Sequence, residues 1–445
     1  MKQEVKVQDF FKDEFPVFAV YNLYRMVASY VDGLKPSQRK IIHTVQQNNI
    51  QKPIKVSQLA SKTSEFTQYL HGEVNLQDVI VHMVQDFTGT NNMNVLYPES
   101  SFGNRCFPQA AAARYIFTRK SECFDKVYHK EDTPLLVQQT FEGDIIEPRY
   151  FIPILPMILV NGSDGIGSGW SQKILPRNSK DIKKEIDRYI NNKPLRQIKP
   201  WFKGFKGKVE HIENSTWELR GVLEQKNLTS FEITEIPPKV SLDRFTANLI
   251  KLEDSGEIVS FTDYSDPGTN DFRFKIKTKR DFTKTRTTEQ IMKKFHLIKR
   301  VTENFTCMDE FNKVREFKNE LEILRAFVDI RLTYYEHRKS FNIKQTKDLM
   351  GRLTSKARFI DSIIKNKLKI KDLTKKEIIE YLKENDYQKY NDSFNYIISL
   401  PIYIMTKDEY QKILEEIQRV QTELHRIQNQ EINDIWINDI KSLKM

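Results

Sequence analysis

Three features of the 445-residue sequence predict an α+β fold that is mostly α. Apolar residues recur at spacings of three and four through the first 150 positions, period-two alternation is confined to 151–305, and a four-three repeat runs near the C-terminus. The sequence therefore divides into segments 1–150, 151–305 and 306–445. A chain of this length exceeds one ordinary core and can bury a sizeable interior.

The first helix is marked by Val17, Val20, Tyr24 and Val27, with turn residues at Asp32-Gly33 and Lys35-Pro36 after it. Between Pro36 and Leu70 come a helix, a break at Gln51-Lys52-Pro53 and a second helix from Ser57 to about Tyr69. This pattern reads as a helix-turn-helix whose Ser57, Gln58, Ser61, Lys62 and Ser64 offer short polar groups to phosphates. A solvated amphipathic helix reads the same way. Val74, Leu76, Val79, Ile80, Met83 and Val84 mark the next helix.

From 151 the character changes. Phe151 to Val160 reads as a buried extended run interrupted by prolines, and Phe231–Ile236 and Asp271–Lys277 alternate as half-buried strands do. Lys199 to Lys208 interleaves cations, rings and glycines around Trp201, Lys203 and Lys206, which suits a DNA backbone or a lysine-protected edge strand. In the last segment Ile413, Ile417, Val420, Leu424 and Ile427 form a coiled-coil seam. Leu321, Leu324, Val328 and Tyr335 give a similar stripe in a helix expected to begin near Asp309. The stretch 350–405 lies between them, so an antiparallel arm with a small helical tip is expected, its job dimerisation.

Charge and cysteine usage narrow the function. The chain has 71 Lys+Arg against 60 Asp+Glu, a formal charge of +11, which favours a polyanion such as nucleic acid; an anionic membrane surface remains compatible with charge alone. There is no run of 18 apolar residues and no apolar signal core, so a cytoplasmic protein without a membrane span is expected. Cys106, Cys123 and Cys307 lack Cys-x-x-Cys spacing and indicate neither a disulfide framework nor a zinc site, and no metal site is expected in this chain.

Two motifs carry chemistry. Arg114-Tyr115 puts a phenol among cations, with Arg119 and Lys120 close by. A phenol with a pKa near 10 needs such charge, or a metal, to act as a nucleophile at neutral pH. The loop Asn161-Gly-Ser-Asp-Gly-Ile-Gly-Ser-Gly-Trp170 fits neither a Walker A nor a G-x-G-x-x-G pattern, which argues against ATP binding by this chain. Its glycines permit close approach of a backbone or ligand. Ile166 among them could be an exposed wedge, although a loop isoleucine considered alone is expected to be buried.

In chain order, Asp32-Gly-Leu-Lys-Pro-Ser-Gln-Arg-Lys-Ile41, Lys55-Val-Ser-Gln-Leu-Ala60, Tyr69-Leu-His-Gly-Glu73, Phe102-Gly-Asn-Arg105, Ala113-Arg-Tyr-Ile-Phe-Thr118 and Pro156 to Trp170 resemble motifs of the breakage-reunion region of type IIA DNA topoisomerases. Trp201-Phe-Lys-Gly-Phe-Lys-Gly207, Glu232-Ile-Thr-Glu-Ile-Pro237 and Leu324 to Tyr335 resemble the eukaryotic branch. The resemblance implies a winged-helix DNA-cleavage domain, an α/β tower domain that bends DNA, and a coiled-coil arm with a dimerisation tip. It implies Tyr115 as the nucleophile forming a 5′-phosphotyrosyl link, Arg114 as the stabiliser of the transition state, and His71 in proton handling. DNA contacts are implied at Lys35, Arg39 and Lys40, with Ile166 inserted between base pairs; Ser57, Lys62, Arg105, Arg119, Lys203 and Lys206 join them as expected DNA contacts.

No ATPase or toprim region is read in the sequence. The expectation is a separate ATPase/toprim subunit supplying Mg²⁺ and ATP hydrolysis, a division similar to that of the medium-subunit family of T4-type bacteriophage topoisomerases, which would place the protein in the host cytoplasm. Two departures stand out: Leu70 replaces the usual His before His71, and Cys106 to Ala113 is shorter than in eukaryotic relatives. A non-catalytic DNA-bending scaffold is the alternative; a coiled-coil adaptor explains the basic motifs poorly.

Overall fold

The computed structural model describes residues 7–266, 268 and 271–443. They form two compact units, one of residues up to Arg331 together with those from Ile437 onward, the other Leu332–Trp436.

In the first unit, helix α1 (Phe15–Met26) precedes α2 (Pro36–Gln47), β1 (Ile54–Lys55), α3 (Val56–Phe66) and α4 (Glu73–Val84). Pro36 opens α2, where its missing N–H is no loss, and the Gln38 side chain accepts from the Lys35 amide at 2.9 Å. Ile41, Ile42 and Val45 of α2, Val56, Leu59 and Ala60 of α3, and Leu76 and Ile80 of α4 are buried, each large side chain contributing about 1.5–3 kcal/mol. β2 (Leu96–Pro98) and β3 (Phe117–Lys120) complete an antiparallel sheet of order β1-β3-β2, with Lys55 opposite Phe117 and Tyr97 opposite Arg119. The expected helix-turn-helix is present, with a two-residue strand in its break. The apolar stripe of α1 is only partly internal: Val27 is buried, but Val17 and Val20 are exposed.

After the hairpin β4 (Thr140–Phe141) and β5 (Asp144–Ile145), the buried run from Phe151 is extended only to Pro156. Met157–Asn161 is a helical turn, because the amides of Leu159 and Val160 both return to the Pro156 carbonyl. The hairpin β6 (Ser163–Ile166) and β7 (Ser171–Ile174) follows, then α5 (Ser179–Ile190). Arg177 and Glu303, both fully buried, are paired at 2.8 Å, and Glu303 also accepts from Trp217 Nε1 and the Leu175 amide, which locks the exit of β7 to the sheet behind it.

That sheet is antiparallel, of order β14-β9-β8, from β8 (Lys208–Glu213), β9 (Thr216–Arg220) and β14 (Ile298–Thr302). A second sheet has the order β10-β11-β13-β12, from β10 (Val222–Asn227), β11 (Ser230–Glu235), β12 (Ser260–Asp263) and β13 (Phe274–Lys277). Phe231, Ile233, Phe274 and Ile276 pack with Phe245 and Leu249 of α6 (Leu242–Asp254) and Ile291 of α7 (Thr288–Lys294). Strict alternation fails in β11 at Glu232, which is buried out of phase and paired with Arg273, while Glu235, in phase with Phe231 and Ile233, is buried against Arg105.

Residues 306–316 form a hairpin, β15 (Thr306–Met308) and β16 (Val314–Glu316), and the long helix α8 (Glu320–Ile364) starts later than Asp309. Asp309 accepts from the amides of Phe311 and Lys313, a turn-forming use of its carboxylate.

In the second unit α8 runs antiparallel to α10 (Lys407–Asn429): Ile360 shares a cluster with Ile413, while Lys339 donates to the Gln430 carbonyl at 2.8 Å. Ile413 and Leu424 of the expected seam are buried, and Ile417, Val420 and Ile427 are half-buried. The residues between carry their own core of Phe359, Leu368, Phe394, Ile397 and, from α9 (Lys375–Glu384), Ile378 and Leu382. The chain closes with α11 (Ile432–Ser442).

Candidate nucleic-acid interface

Tyr115 lies in a turn before β3 and is 65% exposed. The turn is pinned to the start of α3: the Ser57 amide donates to Ala113 O and the Val56 amide to Ile116 O, while the Tyr115 amide closes on Ala112 O at 2.8 Å. Half-buried Ser57 thereby holds the tyrosine loop through its backbone. The Arg114 guanidinium sits 4.8 Å from the Tyr115 ring centroid. Both therefore stand at the positive end of an 11-residue helix, where developing negative charge is favoured.

A second cluster gathers beyond the other end of α3. A cleft of about 420 Å³ is lined by Tyr21, Arg25, Lys35, Lys40, Tyr69 and His71, among others. His71 Nε2 is 2.8 Å from the Tyr21 hydroxyl, and its ring is 5.3 Å from that of Tyr69 in an edge-on contact. Burial and then Arg25 hold the His71 pKa below the usual histidine value, which favours the neutral ring. Lys35 Nζ donates to the Asp164 carbonyl at 2.8 Å, and burial lowers its pKa against the pull of Asp164. Lys40 is held by the Thr67 carbonyl and by Glu147 at 2.9 Å. Leu70, at the position where the resemblance implies histidine, is exposed, and the Tyr21 partner of His71 is not indicated by any motif.

Two expected DNA contacts are corrected. Arg39 is 2% exposed and bridges the buried Asp32 through two hydrogen bonds of 2.7 and 3.2 Å, so its charge is spent inside the fold. Arg105 is also buried, paired with Glu235 and the Ile236 carbonyl and stacked 4.6 Å from the Phe272 ring centre; it ties the loop before Tyr115 to β11. Arg119 is a third exposed, paired with Glu99 over the Tyr97 ring. Lys62 and Lys203 are exposed, and exposed Lys206 pairs with Asp271.

Ile166 is 74% exposed at the end of β6, not buried as a loop isoleucine considered alone would be. The glycines of its hairpin permit close approach to this chain's own α1. A Cβ on Gly165 would stand 2.0 Å from the Met26 carbonyl oxygen, and one on Gly167 would stand 2.8 Å from Leu23 Cδ2. Buried Gln172 bonds the Ala28 amide and carbonyl and the Thr306 carbonyl, so the hairpin is anchored below while Ile166 projects.

Among the described residues no group of three or more His, Cys, Asp or Glu side chains is placed to hold a metal ion, and no helix is long and apolar enough to cross a membrane.

Residues 25–441 match the family model that describes the A-type chain of DNA gyrase/topoisomerase IV. The chain is 31% identical to DNA topoisomerase 2 of Penicillium chrysogenum over 98% of its length, covering 30% of that protein, and 33% identical to DNA topoisomerase 2 of Candida albicans over 87%, covering 27%. It spans about a third or less of the length of these curated relatives. A solved structure, the topoisomerase II DNA-binding, cleavage and re-ligation domain of Plasmodium falciparum, superposes with a TM-score of 0.88 at 32% identity, covering 97% of this chain and 63% of that one. The chain belongs to the DNA gyrase/topoisomerase IV family of type IIA enzymes, on its A-type side, and is homologous to eukaryotic topoisomerase II.

Proposed function

We propose that the chain is the DNA-cleaving and rejoining part of an ATP-dependent type II DNA topoisomerase, with Tyr115 as its nucleophile. The observation that carries this reading is the exposed Tyr115 beside Arg114 at the N-terminal end of α3, in a chain of this family. The Tyr115 oxygen attacks a backbone phosphorus, forming an O–P bond as the P–O3′ bond breaks; the phenolic proton leaves and the 3′ oxygen gains one. The energy of the broken bond stays in the tyrosyl phosphodiester, so the reverse step needs no nucleotide. Arg114 pairs with phosphate oxygens as charge builds. His71, neutral and held by Tyr21, handles the proton at the 3′ oxygen.

An α-helix of 11 residues is about 16 Å long. Tyr115 and the His71 cluster lie at its opposite ends, and this supports a symmetric homodimer in which the tyrosine of one protomer works with the cation cleft of the other. Dimerisation is assigned to the tip carried by α8 and α10. Cutting both strands of one duplex then opens a gate for a second duplex, with Ile166 wedged into the first to bend it.

Mg²⁺ and ATP hydrolysis are assigned to a separate toprim/ATPase subunit, as in T4-type bacteriophage enzymes. The relatives above carry the matched region within much longer chains, so the test includes the chain alone. Double-strand cleavage of a plasmid is measured with Mg²⁺, with and without a toprim-bearing subunit, for the wild type and Tyr115→Phe. Partner-dependent cleavage lost in Tyr115→Phe is expected. Persistence in Tyr115→Phe removes the assignment, and bending without any adduct leaves a DNA-bending scaffold.

A further inference from the structure

The β6–β7 hairpin has two unlike faces. Alternation places Gly165 and Gln172 on the buried one, and Asp164, Ile166, Ser171 and Lys173, all exposed, on the other. Lys173 thus shares a face with Ile166. It lies opposite Asp164, two residues down the strand, about 7 Å from the wedge, which is about two base-pair rises of 3.4 Å.

Two more lysines approach this stem from other elements. Lys239 follows β11 in a left-handed backbone conformation, φ +60°, and Lys299 of β14 donates to its carbonyl at 3.0 Å. Asp164, Lys173, Lys239 and Lys299 line one notch of about 30 Å³. Lys173 Nζ is 3.9 Å from the Asp164 carboxylate, whose backbone carbonyl already holds Lys35. Burial first, and then Lys239, Lys173 and Arg244, pull the Lys299 pKa down, with Asp164 acting against them; burial likewise lowers that of Lys239. Three lysines face one carboxylate here among the described residues lining the notch, and a surplus of cations drawn together is relieved by an anion.

We propose that Lys173, Lys239 and Lys299 form a phosphodiester-binding notch that seats the DNA backbone beside the base step opened by Ile166. This rests on the DNA-cleavage reading above and adds to it residues that no motif indicated. The notch holds the flank of the bent duplex against the hairpin stem, so that backbone contact and wedge act on the same few base pairs.

The test is binding of a fluorescent 30-bp duplex across a salt series, with bending read by energy transfer between labels at its two ends. The proteins are the wild type, Lys173→Ala, Lys299→Ala, the triple alanine variant, the triple arginine variant, and Lys184→Ala as a control lysine paired with Asp181. Each lysine removed should reduce the slope of log K against log salt by about 0.9 and weaken binding about eightfold at 0.1 M salt. The triple alanine variant should also lose bending, the triple arginine variant should keep the slope, and Lys184→Ala should match the wild type. A wild-type slope preserved in the triple alanine variant overturns the notch and leaves the DNA reading standing. A flat salt response in the wild type overturns the DNA reading itself.

Discussion

At the N-terminal end of α3, Tyr115 is two-thirds exposed beside Arg114, whereas beyond the C-terminal end His71, Lys35 and Lys40 are each held by a hydrogen-bonding partner in a cleft. One end would give the proposed nucleophile access to a large, stiff substrate. The other holds cations and a neutral histidine in place before the substrate arrives, so that little reorganisation is needed when charge develops. The difference teaches that the residues of the proposed reaction are divided between two ends of one helix, so that on this reading a second protomer and DNA are needed to complete the site.

The largest effects belong to the exposed end. Tyr115→Phe should lower cleavage by about 10⁴-fold or more while duplex affinity stays within about twofold, measured by gel assay and anisotropy. Arg114→Ala should lower cleavage by about 10²–10³-fold, as loss of a transition-state charge partner does. If Arg114→Ala instead weakens binding and leaves the rate of bound complexes unchanged, the arginine belongs to ground-state recognition.

Mixed dimers sharpen the comparison further. A Tyr115→Phe protomer paired with a His71→Ala protomer has one intact pairing if the ends serve each other across the dimer, and none if each protomer is self-sufficient. Nicking of one strand at about half the wild-type rate per dimer is expected; no nicking would place both ends on the same protomer's phosphate.

Asp32→Asn separates folding from binding at the buried ion pair. Removing one partner of a buried pair costs about 3–5 kcal/mol, so a marked fall in the urea midpoint is expected. An unchanged midpoint with weakened DNA binding would return Arg39 to the interface.

The smallest effect is on pH dependence. Arg25 helps keep the His71 pKa low, so Arg25→Gln should raise it. If neutral His71 is the working form, as proposed, activity falls as pH drops through that pKa, and the acid limb of the cleavage profile should move to higher pH. Movement to lower pH would contradict this role for His71.

Much of this was legible in the sequence for a physical reason. Three-four spacing reports burial on helices, so α4 and the α10 seam are readable from it, α2 and α3 from the helix–break–helix pattern, and ordered motifs single out Tyr115 and Ile166. Charge is visible in sequence while its partner is not. Arg105 meets Glu235 across 130 residues, and Arg39 meets Asp32 seven residues away, so both read as surface cations. Val17 and Val20 have helical spacing but remain exposed, since periodicity does not say what covers a face. The turn on Asp309 stands where the sequence predicts helix, because its carboxylate accepts from amides whose approach shows only in three dimensions. Tyr21 is separated from His71 by 50 positions and could not have been paired with it from spacing.

The most direct measurement is the identity of the residue that carries the DNA. Duplex labelled at its 3′ end, downstream of a cleavage site, is trapped on the protein by detergent in the presence of Mg²⁺ and a toprim-bearing subunit, digested, and the labelled peptide sequenced by mass spectrometry. The account predicts a peptide carrying the 5′-phosphate on Tyr115. The label on another residue, or cleavage without any protein-linked DNA, would contradict it.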